Sequence, residues 1–205
     1  EGYISYPRTD NTVYPPSLNL KAIVRKLVQS EFGEYAKKLL EKRVLKPTAG
    51  KKRTQDHPPI YPTAPATRSA FSGEKWKIYE LVVRRFLATL ADPAKGESTI
   101  LLLDIEGLDF QASGYRIIAP GWREFYPYIG VKEVMLPEVE KGEKLHIRKM
   151  ELKEEQTKPP ERYSMASLIK EMEKRWLGTK ATRHEIIQKL YSRGYICLLY
   201  TSDAA

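Results

Sequence analysis

Between Ser17 and Leu40 the apolar residues fall at helical spacing. Leu20, Ile23, Val24, Leu27 and Val28 share one face of a short amphipathic helix that starts after Ser17 and that Gly33 can end, and Tyr35, Leu39 and Leu40 mark a second helix. A stronger repeat runs from Gly73 to about Leu90. It puts Ile78, Leu81, Val82, Phe86, Leu87 and Leu90 on the buried side with Arg84 and Arg85 beside them, and Asp92-Pro93 closes it. The period then shortens: Ser98 to Ile105 is rich in Leu and Ile at strand length, Asp109 to Ala119 alternates in part, and Lys144 to Leu152 reads as a further strand flanked by charge. A plain antiparallel sheet with no site of its own fits this middle region. Beyond the linker Thr157-Lys158-Pro159-Pro160, helical spacing returns. Met165, Leu168, Ile169, Met172 and Trp176 form one face, Gly178 breaks the chain, and Thr182 with Glu185 makes a capping box. Ile186, Ile187, Leu190 and Tyr191 then line a second helix that Gly194 ends. The pattern predicts an α+β, multi-domain chain whose last helix pair fits a helix-turn-helix or an ordinary helical hairpin.

Neither period survives between Leu45 and Arg68, where Pro, Gly and Thr surround the basic group Lys46, Lys51, Lys52 and Arg53. A long irregular loop is expected there, and such loops inside compact domains are more often functional than decorative. Charge points the same way. Across 205 residues, 35 Lys and Arg against 26 Asp and Glu leave a formal charge of +9, which favours an anionic partner, although a generic basic surface gives the same balance. The single cysteine, Cys197, excludes an internal disulfide and any Cys-based zinc site. No run reaches ~18 apolar residues and no charged-then-apolar leader appears, so the expectation is a soluble intracellular protein without a membrane partner. A start at Glu1 rather than methionine suggests a piece of something longer.

The loop carries one of the three histidines, within Asp56-His57-Pro58-Pro59-Ile60-Tyr61-Pro62-Thr63: an acid able to orient the ring, and prolines that stiffen the segment. The other chemically loaded stretch opens the chain. Gly2-Tyr3-Ile4-Ser5-Tyr6-Pro7-Arg8-Thr9-Asp10-Asn11 sets a tyrosine two residues before an arginine and four before an aspartate. A free phenol ionises near ~10 and is a weak nucleophile until a cation stabilises its oxyanion and the phosphate it attacks, a part Arg8 can take. Taken singly, a Tyr-Pro-Arg is an ordinary surface turn and a histidine among prolines an ordinary loop residue. Together, in this order and at this separation, the two segments resemble the active-site region of type IA DNA topoisomerases, with its (I/L)-(S/T)-Y-x-R-T-D and H-x-x-I-x-P-T motifs. Tyr61 stands where many bacterial members carry arginine and is similar to the archaeal or topoisomerase III-like branch. Three later stretches also resemble the family: Pro159 to Leu168, Gly178-Thr179-Lys180-Ala181-Thr182-Arg183, and Arg193-Gly194-Tyr195-Ile196. Lys180 replaces the usual proline, and Trp176-Leu177 replaces a Gly-Ile pair.

The resemblance covers about residues 1–196 and implies part of a toroid. Residues 1 to about 95 would be the tyrosine domain, helical with a winged-helix-like core; 96–156 a segment of the β-rich arch; and 157–196 the helix-turn-helix-like start of a DNA-groove domain. It implies that Tyr6 attacks a backbone phosphorus of single-stranded DNA and is joined to the 5′ phosphate, that Arg8 clamps the scissile phosphate, and that His57 contacts this phosphate or its neighbour. Asp10 would orient His57 or Arg8, or merely cap the loop. Lys180, Thr182, Arg183 and Arg162 would lie along the DNA groove. The implied activity is ATP-independent relaxation of negatively supercoiled duplex by strand passage, carried out by a monomer in the cytoplasm, at the nucleoid. The family's general acid and Mg²⁺ carboxylates belong to an upstream domain missing here, so no metal site is expected in this chain, which alone should bind DNA weakly and cleave poorly. Its one acidic cluster, Asp104, Glu106 and Asp109, fits a solvated hairpin end.

Two rival readings stand beside this one. Tyrosine recombinases and type IB topoisomerases also form phosphotyrosine with Arg and His helpers, but their nucleophile follows those residues and takes the 3′ phosphate, whereas here the tyrosine comes first. The other rival is a non-catalytic basic DNA-binding module working through its helix-turn-helix. Residues 197–205 do not continue the resemblance and are expected to be a non-native tail.

Overall fold

The computed structural model of the chain describes residues 2–54, 57–71 and 73–197, which fall into two compact units within 1–143 and 144–205. In the first unit, α1 (Leu20–Lys26) runs on through one 3₁₀ turn (Leu27–Gln29) and is followed by α2 (Gly33–Leu40) and α3 (Glu74–Leu90). The antiparallel strands β1 (Lys95–Ile105) and β2 (Leu108–Ala119) and the one-turn helix α4 (Trp122–Phe125) complete it. Asn19, not Ser17, starts α1: its side-chain oxygen accepts the Ala22 N–H at 3.0 Å, satisfying one of the donors that a helix start leaves open. Gly33 opens α2 rather than closing α1. A Cβ there would overlap the Val28 carbonyl oxygen, so glycine is what allows the close approach.

The core joins the three helices through Val24, Leu27, Phe32, Leu39, Val83, Phe86, Leu87 and Leu90. On α3 the buried stripe begins with Trp76 and Tyr79, while the expected Ile78 is 57% and Leu81 43% exposed and Val82 is half-buried. Two adjacent apolar stripes compete on this helix and the aromatic one wins. Trp76 stacks on Phe32 with centroids 6.1 Å apart, and Tyr79 buries its ring while its hydroxyl finds polar partners. Arg84 stays beside the stripe, paired with Glu80 at 2.8 Å and lying over the Phe32 ring.

The long loop between α2 and α3 forms as expected and runs antiparallel to the N-terminal segment. Thr63 N–H donates to the Tyr3 carbonyl at 3.0 Å and Ser5 N–H to the Tyr61 carbonyl at 2.9 Å. Farther along, the Thr9 hydroxyl donates to the His57 carbonyl at 3.1 Å, the Asn11 amide to the Thr54 carbonyl at 3.0 Å, and Thr12 N–H to the Lys52 carbonyl at 2.9 Å. Pro58, Pro59 and Pro62 lack the N–H that a ladder needs, so only Ile4 and Pro62 meet as a β-bridge and the seam stays irregular. Two tyrosines fasten the loop to the core. Tyr14 donates to the Ile60 carbonyl at 3.3 Å, and Tyr79 donates to the Ala64 carbonyl at 2.8 Å while accepting the Ala66 N–H at 3.1 Å. Burial pushes both phenols up to about 12.

β1 and β2 make a two-stranded hairpin whose turn residues, Glu106 and Gly107, both have positive φ, 51° and 81°. The Asp104 carboxylate accepts the Gly107 N–H at 2.8 Å and Asp109 sits across from it, so the acidic cluster is the chemistry of the turn. The expected strand at 144–152 does not form. Leu145, Ile147, Met150 and Leu152 are exposed, because apolar residues make no strand without an edge to pair with.

The second unit holds α5 (Met165–Lys174) and α6 (Arg183–Ser192), which bury Met172 and Ile187. Ser164 caps α5 by accepting the Ser167 N–H at 3.2 Å. Trp176, expected on the buried face, is exposed. The capping box lies three residues upstream of its expected place. Thr182 has near-helical angles, φ −106° and ψ −18°, and makes no N-cap bond of its own. Its hydroxyl instead reaches back to accept the Thr179 N–H at 2.8 Å, while the Thr179 carbonyl accepts the Arg183 N–H at 3.0 Å. No helix among the described residues is long and apolar enough to cross a membrane.

Tyr79→Phe strands the Ala66 N–H and the Ala64 carbonyl and is expected to destabilise the first unit by about 1–3 kcal/mol in urea unfolding. Both tyrosines ionise higher in the folded than in the unfolded chain, where the value is near ~10. The stability they contribute is therefore complete below pH ~10 and is lost as pH rises toward about 12. Circular dichroism across that window should show the loss, with a smaller slope in Tyr79→Phe.

Candidate active site

The seam decides which side chains meet. With Ser5 held by Tyr61 on both its N–H and its hydroxyl, which accepts the Tyr61 N–H at 3.0 Å, the chain presents Tyr6 outward at 51% exposure. The Thr9 hydroxyl, bound to the His57 carbonyl, draws the histidine to the same place. The Tyr6 and His57 rings lie 4.5 Å apart, tilted by 44°. Arg8 is exposed two residues from Tyr6, and Asp10 is half-buried farther along the segment. A phenol and an imidazole thus meet on an accessible surface, with an exposed guanidinium two residues along the chain from the phenol. Asp56, expected to orient the His57 ring, lies outside the described residues.

Beside Tyr6 opens a groove of about 570 Å³, lined in the main by Tyr3, Ile4, Phe71, Lys75, Ile78 and Tyr79. Tyr3 meets Phe71 edge-on at 4.8 Å and Tyr79 at 6.4 Å, so the wall behind Tyr6 is aromatic. This groove gives the exposed Ile78 a place in the structure that helix periodicity alone did not.

Three residues that carry the geometry were not singled out from the sequence: Ser5, Thr9 and Asn11. Asn11 bonds Thr54 through its amide and accepts the Val13 N–H at 3.0 Å, while its own N–H donates to the Thr9 hydroxyl at 3.1 Å. The available signal was a run of short polar side chains, which bond nearby backbone in preference to regular structure. Among the described residues, no group of three or more His, Cys, Asp or Glu side chains is placed to hold a metal ion.

The residues expected along a DNA groove all lie in the second unit. Lys180 and Thr182 lie in the turn between α5 and α6, Arg183 is the first residue of α6, and Arg162 is exposed on the stretch before α5. Thr182 is engaged in the cap described above. Arg183 donates through Nε to the Leu177 carbonyl at 3.1 Å and through Nη2 to the Gly178 carbonyl at 3.3 Å, so it braces the turn.

Thr9→Val keeps the shape of the side chain but loses the hydroxyl's bond across the seam to His57 and the one it accepts from Asn11 N–H. It is expected to cost about 1 kcal/mol in denaturant titration, with Thr9→Ser close to the parent.

Compared with known proteins, residues 1–200 match a sequence model of the DNA topoisomerase family. The chain is 54% identical over 195 residues to DNA topoisomerase 1 of Archaeoglobus fulgidus, covering 95% of this chain and 29% of that protein. It is 38% identical over 204 residues to DNA topoisomerase 3-alpha of Mus musculus, covering 99% and 20%. In three dimensions it is similar to full-length topoisomerase I from Thermotoga maritima, with a TM-score of 0.64 at 25% identity over 97% of this chain and 32% of that one. The chain spans less than a third of the length of each of these proteins.

Proposed function

Because the chain belongs to the DNA topoisomerase family, we propose that it is the strand-cleaving part of a type IA enzyme, with Tyr6 as nucleophile. The observation that carries this reading is the meeting of Tyr6 and His57, 51 residues apart in the sequence, with the exposed Arg8 two residues from Tyr6. Tyr6 Oη loses its proton and bonds to a backbone phosphorus of single-stranded DNA. The bond from phosphorus to O3′ breaks, and O3′ leaves as a hydroxyl after taking up a proton. Arg8 holds the phosphate oxygens with two parallel N–H donors and offsets the charge that grows there, and His57 contacts the same phosphate or the next. Asp10 orients Arg8 or His57, or caps the segment.

One phosphodiester replaces another of similar energy, so the break reverses without nucleotide hydrolysis, and strain in negatively supercoiled duplex drives strand passage. Residues 1–95 make the tyrosine domain with its winged-helix-like core, 96–156 part of the arch, and 157–196 a groove domain in which α5 and α6 act as a helix-turn-helix-like pair. There Arg162, Lys180, Thr182 and Arg183 line the strand. Among the described residues no cluster of acidic side chains is placed to hold Mg²⁺, and we place the Mg²⁺ carboxylates and the general acid of the complete enzyme in a part that this chain does not span. The complete enzyme acts as a monomer on DNA at the nucleoid, in the cytoplasm.

The test replaces the matching segment of the Archaeoglobus fulgidus enzyme with residues 1–196. With end-labelled single-stranded DNA, the protein should retain the 3′-labelled fragment after denaturation, as a 5′-phosphotyrosine requires, and Tyr6→Phe should remove the adduct while DNA binding persists. Retention of the 5′-labelled fragment would indicate the opposite polarity, and an undiminished adduct in Tyr6→Phe would exclude Tyr6.

A further inference from the structure

α5 ends in a way its sequence does not favour. Leu177 N–H donates to the Met172 carbonyl at 2.9 Å and Trp176 N–H to the Glu173 carbonyl at 3.1 Å, a Schellman arrangement that leaves Trp176 in the left-handed region at φ 59°. Glycine is the usual occupant there because a Cβ crowds the neighbouring carbonyl. The same motif at the end of α6 does use glycine: Gly194 has φ 71°, and Tyr195 N–H donates to the Leu190 carbonyl at 3.0 Å. A bulky side chain held in this conformation ordinarily has its ring packed. Trp176 is 91% exposed. Neither backbone preference nor packing accounts for it, and such an outlier points toward function.

Its surroundings are cationic. From Lys174 to His184 the chain carries Lys174, Arg175, Lys180 and Arg183 and no acidic residue. Arg183, braced against the Leu177 and Gly178 carbonyls, fixes positive charge at the turn that displays the indole. Arg175, bonded to Glu171 at 2.6 Å, remains 67% exposed, and the exposed Tyr163 lies within electrostatic reach of it. An exposed indole on a turn that carries these cations is complementary to a base with its flanking phosphates, not to an apolar protein surface.

We propose that Trp176 is a stacking platform for one unpaired base of single-stranded DNA, with the cations of the α5–α6 turn on the adjoining phosphates. The assignment rests on the reading of this chain as a DNA-strand enzyme. Bases in duplex DNA are already stacked, so the platform selects for single strands without selecting for sequence.

The experiment uses the whole chain and a short labelled oligothymidine, with the matching duplex as control, read by fluorescence anisotropy at fixed salt. Trp176→Gly suits the backbone, so its melting temperature should equal or exceed the parent's and misfolding is not a competing explanation. It should weaken single-strand binding by about 5- to 30-fold and leave duplex binding within about twofold, while Trp176→Tyr keeps most of the affinity. Equal single-strand affinity in Trp176→Gly and the parent would overturn the platform while leaving the enzyme reading in place, as would equal losses on single strand and duplex. No binding of oligothymidine by the parent would overturn the platform, and an adduct trapped at Tyr6 in the exchanged enzyme would show that the enzyme reading had not failed with it.

Discussion

The site depends on one constraint, the antiparallel seam between residues 2–14 and the loop that returns past them. Neither strand of the seam can form a regular sheet, because prolines interrupt the donors, and neither has an apolar face of its own large enough to fix it. The seam is held instead by alternating backbone and short side-chain bonds, and by two buried tyrosine hydroxyls that tie the loop to the helical core. Its register is what sets Tyr6 against His57. A slip of one residue would part Tyr6 from His57.

This division of labour explains why so rigid a core lies beneath so irregular a surface. Val24, Leu27, Phe32, Val83, Phe86 and Leu87 supply burial, and the loop borrows its order from them through Tyr14 and Tyr79. The nucleophile we propose has to be accessible and yet held in place, and Tyr6, exposed on a segment bonded to the loop through Ser5 and Thr9, meets both needs. The apolar groove beside it, walled by Tyr3, Phe71 and Tyr79, is a further consequence of the same packing.

Much of this was legible in the sequence, and the failures are instructive. The helices at 20–29, 33–40 and 74–90 follow from periodicity, and the hairpin from its two apolar runs and the Glu106-Gly107 turn. Which face of α3 is buried was not legible, because Ile78 and Leu81 are as apolar as Trp76 and Tyr79, and the choice is made by the aromatic partners Phe32, distant in sequence, and Phe71, just ahead of the helix. The expected strand at 144–152 has apolar residues that change face midway, between Ile147 and Met150, and it lacks a partner edge. The motifs around Tyr6 and His57 were readable as chemistry, yet their meeting is a tertiary fact that no spacing rule contains. Helix ends fared worst: Asn19 took the place of Ser17, and Thr182 serves a cap at Thr179, since caps turn on single dihedral angles.

The most direct test of the central claim is to trap the covalent complex of the exchanged enzyme with single-stranded DNA, digest both components, and locate the nucleotide by mass spectrometry. The seam predicts a single adducted peptide, the one containing Tyr6, carrying a 5′-phosphate ester on its phenol. A nucleotide found on any other residue, or an ester through a 3′-phosphate, would contradict it.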